Sequence, residues 1–263
     1  MLRASAIGVS YECALSRYAK RGVGKTTTTL AVGVELAKLG NRVLLVDTDP
    51  QSNLTQALGY DPTQLEHSVH DVLLNPTYGL GAATLHADHG VDLVPATLAL
   101  AGAELTLASV FGRELRLRTA LMEVRRQYDY ILIDSPPSLG IFTINALTAA
   151  DAVIVPLQAH VFALQALPQL EETIAIVRQL NPPLAIGGIV VTMVDRRTSV
   201  NQVVEDAARQ QYGDLVFKTV VPFNVKLVEA PAAGQPISIY APGSSGARAY
   251  HDLALEVAAR YGK

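Results

Sequence analysis

The stretch Ala19-Lys20-Arg21-Gly22-Val23-Gly24-Lys25-Thr26-Thr27 decides the fold. Residues without a Cβ tolerate positive φ and leave N–H groups uncovered, so Gly22 and Gly24 let the backbone approach an anion closely. Lys25 is long enough to reach the β- and γ-phosphate oxygens of a nucleotide, and the hydroxyl of Thr26 is a ligand for Mg²⁺. The run 27–39 is expected to be a helix whose free N–H groups and positive dipole end face the phosphates. Together these features predict a nucleotide-binding loop, with Gly22, Val23, Gly24, Lys25, Thr26 and Thr27 around the phosphates. The common pattern G-x-x-x-x-G-K-S/T is not met, because Ala19 stands where its first glycine belongs. A second lysine, Lys20, lies five positions before Lys25 instead.

Working outward, the chain after Gly40 alternates apolar runs with helical patterns. Arg42–Val46 reads as a buried strand running into Asp47-Thr48-Asp49-Pro50-Gln51. Val91–Pro95 follows a glycine-containing link at 79–81, and Tyr130–Ile133 ends in Asp134-Ser135-Pro136-Pro137. Ala152–Pro156, Ile186–Val191 and Val216–Val221 complete the expected strands, the last of these closing the sheet. Helical patterns cover 112–127, 162–179, 199–211 and 245–260. Such alternation implies right-handed crossovers, and predicts an α/β fold with a mostly parallel, doubly wound sheet and helices on both faces. Residues 1–19 fit least well. Ala6–Val9 is the best strand candidate, yet ten residues separate it from Lys20, and Cys13–Leu15 is a short alternative. An N-terminus replaced up to about Arg21 would account for this atypical segment. The whole chain, 1–263, reads as one domain, with 1–19 its atypical segment.

Composition narrows the function. Of 263 residues, 49% are hydrophobic and 17% charged, which suits a globular chain and not a disordered one. The net charge of −3 excludes a globally basic nucleic-acid binder but permits a local basic patch. A lone cysteine, Cys13, excludes internal disulfides and counts against a cysteine-held metal cluster. No apolar run is long enough to span a membrane, and no signal-peptide core is present, so a cytoplasmic location is expected.

Ligands in doubly wound folds bind at the carboxyl ends of the strands. Asp134, at such a strand tip, is expected to hold the Mg²⁺ shell in the manner of a Walker B aspartate.

The lysine pair Lys20/Lys25 resembles the deviant Walker A loop of the ParA/Soj and MinD group of ATPases, with Arg21 in place of a glycine. The resemblance runs from about residue 20 to 260. Asp47-x-Asp49-Pro50-Gln51 is similar to the family's first switch segment and Asp134-x-Pro136-Pro137 to its second. Further similar segments are Ala101-Gly102-Ala103-Glu104-Leu105, Val155-Pro156-Leu157-Gln158, Thr192–Thr198, Val221–Pro231 and Gly246–Tyr250. Phe223 and Lys226 stand where the family carries arginines.

The resemblance implies ATP/ADP and Mg²⁺ as ligands, with Asp49 orienting the attacking water and Asp47 supporting the magnesium shell. Lys20 is then expected to act in trans, neutralising the partner subunit's nucleotide in an ATP-bound homodimer. Arg21 is expected to weaken that dimer and slow turnover. Met193, Asp195, Pro222 and Asn224 correspond to the family's adenine-recognition segments. Nonspecific DNA binding is implied in the ATP state, with Arg196, Arg197, Lys218 and Lys226 as candidate contacts. The helix over 113–127, with five arginines against two glutamates, offers a second basic face. A ParB-type partner, nucleoid association and a role in chromosome or plasmid partition complete the expectation. A membrane-anchoring helix after 245–260 is not expected. Two other readings are a degenerate, monomeric nucleotide-binding module disabled by Arg21, and a MinD-like positioning ATPase.

Overall fold

Val43–Asp47 (β2) and Tyr130–Asp134 (β5) are buried along their whole length, which requires cover on both faces of the sheet. The computed structural model describes residues 5–9, 24–75, 77–160 and 163–262. Within them a seven-stranded sheet runs in the order β3-β4-β2-β5-β1-β6-β7. Its other members are Ser5–Val9 (β1), Leu85–His86 (β3), Val91–Val94 (β4), Ala152–Gln158 (β6) and Ala185–Thr192 (β7). All neighbours are parallel except the two-residue edge strand β3, which is antiparallel to β4. Ser5–Val9 sits between β5 and β6, in register with Tyr130–Asp134, so the Ala6–Val9 expectation is the correct strand. Lys20, Arg21, Gly22, Val23 and Cys13 lie outside the described residues.

The helices are Lys25–Lys38 (α1), Asn53–Ala57 (α2), Val69–Leu74 (α3), Leu100–Leu107 (α4), Arg116–Val124 (α5), Ile141–Ala149 (α6), Leu167–Val177 (α7), Ser199–Tyr212 (α8), Lys226–Ala232 (α9), Ile237–Tyr240 (α10) and Ser245–Tyr261 (α11). Strand periodicity sorts the core between the faces. Val43, Leu45 and Leu132 join α1 and α11, whereas Leu44, Val46, Ile131 and Ile133 join α3, α4, α5 and α6. A third cluster packs β6 and β7 against α7 and α8. Helix α1 lies close to the sheet because Gly33 carries no side chain there. A Cβ at Gly33 would come within 2.6 Å of the Leu45 side chain.

One expected strand does not form. Val216 and Pro222 make only isolated parallel bridges, to Ile189 and Val194. The physical reason is a competing acceptor. The Glu256 carboxylate on α11 takes the N–H groups of Lys218 and Thr219 at 2.8 and 2.7 Å. The Phe217 and Val221 N–H groups reach β7, so the Thr219 N–H between them is the donor that a continuous ladder loses. Residues 113–115 form a 3-10 turn ahead of α5, so the helix expected over 112–127 is shorter than its pattern. No helix of the described residues is long and apolar enough to cross a membrane.

Candidate functional site

Gly24 occupies φ 89° at the start of α1, a conformation that a Cβ would strain, and its carbonyl accepts the Thr28 N–H at 2.8 Å. The helix behind it has no side-chain cap and no acidic residue in its first turn. Its first N–H groups therefore have no acceptor within the helix, the arrangement that suits a bound phosphate. Lys25, the first residue of α1, is 8% exposed. From behind, the fully buried Tyr250 of α11 places its hydroxyl 3.1 Å from Thr28 Oγ1 and braces this turn.

Thr26 Oγ1 donates to Asp134 Oδ2 at 2.7 Å, which ties the first turn of α1 to the tip of β5. The other carboxylate oxygen, Asp134 Oδ1, is buried without a hydrogen-bond partner. Burial pushes the Asp134 carboxyl up to about 8; the neighbouring Asp47 charge pushes the same way, and Thr26 and Lys25 oppose it. Asp47 is its register partner on β2. Both Asp47 oxygens are engaged: Oδ1 accepts the Asp49 N–H at 3.1 Å, and Oδ2 accepts the Thr55 N–H and hydroxyl at 3.0 and 2.8 Å. We therefore place the negative charge of the pair on Asp47 and the proton on Asp134. Once that proton leaves, the Thr26 hydroxyl and the orphaned Asp134 oxygen side by side form a hard-oxygen donor set that fits Mg²⁺. Thr26 and Asp134 would hold the ion, with Asp47 behind them.

This proton makes a prediction. The folded-state pKa of Asp134 lies above its unfolded value, so its contribution to stability is present in acid and is lost as pH rises through about 8. Asp134→Asn removes that loss. In EDTA without nucleotide, the variant should melt higher than wild type at pH 8 by several degrees, corresponding to roughly 2–4 kcal/mol, and the gap should close toward pH 4. A calorimetric scan that found the variant less stable at pH 8 would contradict the assignment.

Asp49 is 6% exposed, and its Oδ1 accepts the Gln51 N–H at 2.9 Å, so the loop after β2 is a closed turn. Ser52 and Met193 are the non-glycine residues at positive φ among those described, at 55° and 56°. Strained backbone of this kind concentrates at functional sites. One borders the Asp49 turn, and the other ends β7 in the segment expected near the base.

The structure brings the base-recognition candidates together. The Val194–Pro222 bridge, with the Phe223 N–H on the Val194 carbonyl at 3.0 Å, sets Met193 and Asp195 beside Pro222 and Asn224. Asn224 in turn donates to Ser245 Oγ at the start of α11. The Asp195 carboxylate takes Arg197 bidentately, with bonds of 2.7 and 2.9 Å, and the Arg197 hydrogen bonds hold its carboxyl down at about 2. Arg197 is thus ion-paired. Lys226 Nζ pairs with Glu229 at 2.8 Å and lies 5.7 Å from the Tyr240 ring centre. Arg196 and Lys218 are exposed. Along 113–127, Arg113 pairs with Glu114 and Arg125 with Asp151, so part of that basic face is neutralised too. Thr55 and Tyr250 are parts of the site that sequence reasoning missed, since neither spacing nor residue type marks them.

A positive-φ glycine opening a buried-lysine helix, opposite two aspartates at adjacent strand tips of a parallel sheet, defines a P-loop nucleotide-binding protein of the doubly wound class. The family model described as "AAA domain" matches residues 14–186. The chain is 47% identical over 241 residues to the sporulation initiation inhibitor protein Soj of Bacillus subtilis, covering 91% of this chain and 95% of that protein. It is 46% identical over 244 residues to the chromosome partitioning protein ParA of Caulobacter vibrioides, covering 92% and 91%. Among solved structures it resembles a cobyrinic acid a,c-diamide synthase of Mycobacterium smegmatis with bound ADP and magnesium. That likeness has a TM-score of 0.82 at 37% identity, covering 99% of this chain and 97% of the other. The chain belongs to the ParA/Soj family of chromosome-partitioning ATPases.

Proposed function

We propose that this protein binds ATP with Mg²⁺, hydrolyses it, and acts as a partition ATPase in chromosome or plasmid segregation. The observation that carries the reading is the joined pocket of Gly24, Lys25, Thr26 and Asp134, in which a buried carboxylate oxygen lacks a partner beside a threonine hydroxyl. Gly22, Val23, Gly24 and Thr27 offer backbone N–H groups to the phosphates, and Lys25 neutralises their charge. Thr26 and Asp134, with support from Asp47, would hold a Mg²⁺ ion, which would neutralise charge at the transferred phosphoryl group. Asp49 orients water in line with that group and takes its proton. Met193, Asp195, Pro222 and Asn224 border the base. The 46–47% identity to the Soj and ParA proteins, against 37% to the diamide synthase, supports partition as the role.

In the ATP state the protein forms a face-to-face homodimer in which Lys20 crosses to the partner's nucleotide. That dimer binds DNA without sequence preference through Arg196, Arg197, Lys218 and Lys226, associates with the nucleoid, and is stimulated by a ParB-type protein. Sedimentation of the full chain tests this. A dimer is expected with ATP and Mg²⁺ but not with ADP, and it should bind random-sequence DNA with an affinity that falls steeply with salt. A monomer under all nucleotide conditions would refute the proposal.

A further inference from the structure

A buried hydrogen-bond chain beside the site runs through a residue with no assigned role. Thr55, on the five-residue helix α2, is fully buried. Its N–H and its hydroxyl both donate to Asp47 Oδ2, at 3.0 and 2.8 Å. The same hydroxyl oxygen accepts the Ala96 N–H at 3.0 Å. The opposite oxygen of Asp47 takes the Asp49 N–H. One carboxylate therefore holds both ends of the turn 48–55: Asp49 at its start, and Thr55 beyond the strained Ser52.

Chemistry explains why a threonine does this. A hydroxyl supplies one donor and still accepts, so Thr55 can serve Asp47 and Ala96 together; a valine of the same shape can do neither. Hydrogen bonds linked in this way polarise one another in a low-dielectric interior. Ala96 also leads by a short link into α4. There Glu104 lies so close to Gly140, in the loop after Asp134, that a Cβ on Gly140 would come 2.9 Å from its carboxylate oxygen. Thr55 thus stands where the loop bearing Asp49 meets the segment that flanks the second aspartate loop.

We propose that Thr55 is a positioning residue for hydrolysis, fixing the Asp47 carboxylate so that Asp49 is held where it can orient water. The inference rests on the role proposed above for Asp49. It weighs on catalysis more than on binding, because the phosphates and the metal are held by Lys25, Thr26 and Asp134, and Thr55 reaches that set only through Asp47 behind them.

The test compares full-length wild type, Thr55→Val, Thr55→Ser and Asp49→Ala. Steady-state ATP turnover is measured alongside titration of a fluorescent ATP analogue with Mg²⁺. Thr55→Ser keeps the hydroxyl and should turn over within about twofold of wild type. Thr55→Val should lose roughly 10- to 100-fold in kcat, as expected for a misplaced catalytic group, while nucleotide affinity stays within about threefold. If Thr55→Val does not fold, Thr55→Ala carries the same comparison. Turnover by the valine or alanine variant at the wild-type rate overturns the inference, and so does a parallel loss of affinity and kcat. If Asp49→Ala hydrolyses normally, or wild type does not hydrolyse at all, the proposed function falls first and this inference with it. If Asp49→Ala is inactive and Thr55→Val is not, only the role of Thr55 is refuted.

Discussion

Lys25→Ala is expected to lower ATP affinity by at least two orders of magnitude while leaving a folded chain. The lysine heads α1 on the strand-tip side of the sheet, with Gly24 at φ 89° just before it. Its ammonium supplies the positive charge that the proposed function sets against the β- and γ-phosphates. Charge-assisted hydrogen bonds are worth about 1.5–3 kcal/mol each, so losing two amounts to roughly 10²- to 10⁴-fold in affinity. The helix itself survives, because alanine is the better helix former and residues 28–34 and 36 of α1 are buried in the core. Calorimetric titration with ATP and Mg²⁺, together with a cooperative thermal melt, makes the measurement. An affinity within about threefold of wild type would remove the phosphate loop from the centre of the account.

Asp49 gives the second large effect, and it separates turnover from binding. Asp49→Ala should bind ATP within a few-fold of wild type yet lose on the order of 10²- to 10⁴-fold in kcat, the range set by a positioned general base. Alanine also deletes the Asp49 Oδ1 acceptor for the Gln51 N–H, so it loosens the turn as well as the chemistry. Asp49→Asn keeps that acceptor and removes only the base. Both variants should accumulate the ATP-bound state, visible as a dimer that persists in sedimentation after wild type has returned to monomer. An asparagine variant with more than about a tenth of wild-type turnover would show that the carboxylate does not take the proton.

How far the sequence carried depends on the element. Arg42–Asp47 and Tyr130–Asp134 were readable because strands buried on both faces are unbroken apolar runs, and their terminal aspartates are conspicuous against them. Lys25 and Thr26 were readable because their spacing from Gly24 carries a mechanism. The segment 216–221 misled, since its apolar run suits a strand while the decisive group, Glu256, arrives from a helix about forty positions later. The short helices α2, α3, α9 and α10 were missed because four to seven residues give little period to detect. Thr55 was invisible for a related reason: its partners are Asp47 at the end of β2 and Ala96 just after β4, and only the fold brings them within 3 Å. The assignments on Lys20, Arg21, Gly22 and Val23 lie outside the described residues.

The pairing of Arg197 with Asp195 and of Lys226 with Glu229 has a consequence for any polyanion that meets this surface. Each cation already has an intramolecular counterion, so a backbone phosphate must exchange with a carboxylate rather than simply arrive. Such a swap releases fewer small ions per contact than an unpaired cation would, and it leaves a repelled carboxylate behind. The protein's own acids would thereby set an upper limit on how tightly a polyanion is gripped at these two positions.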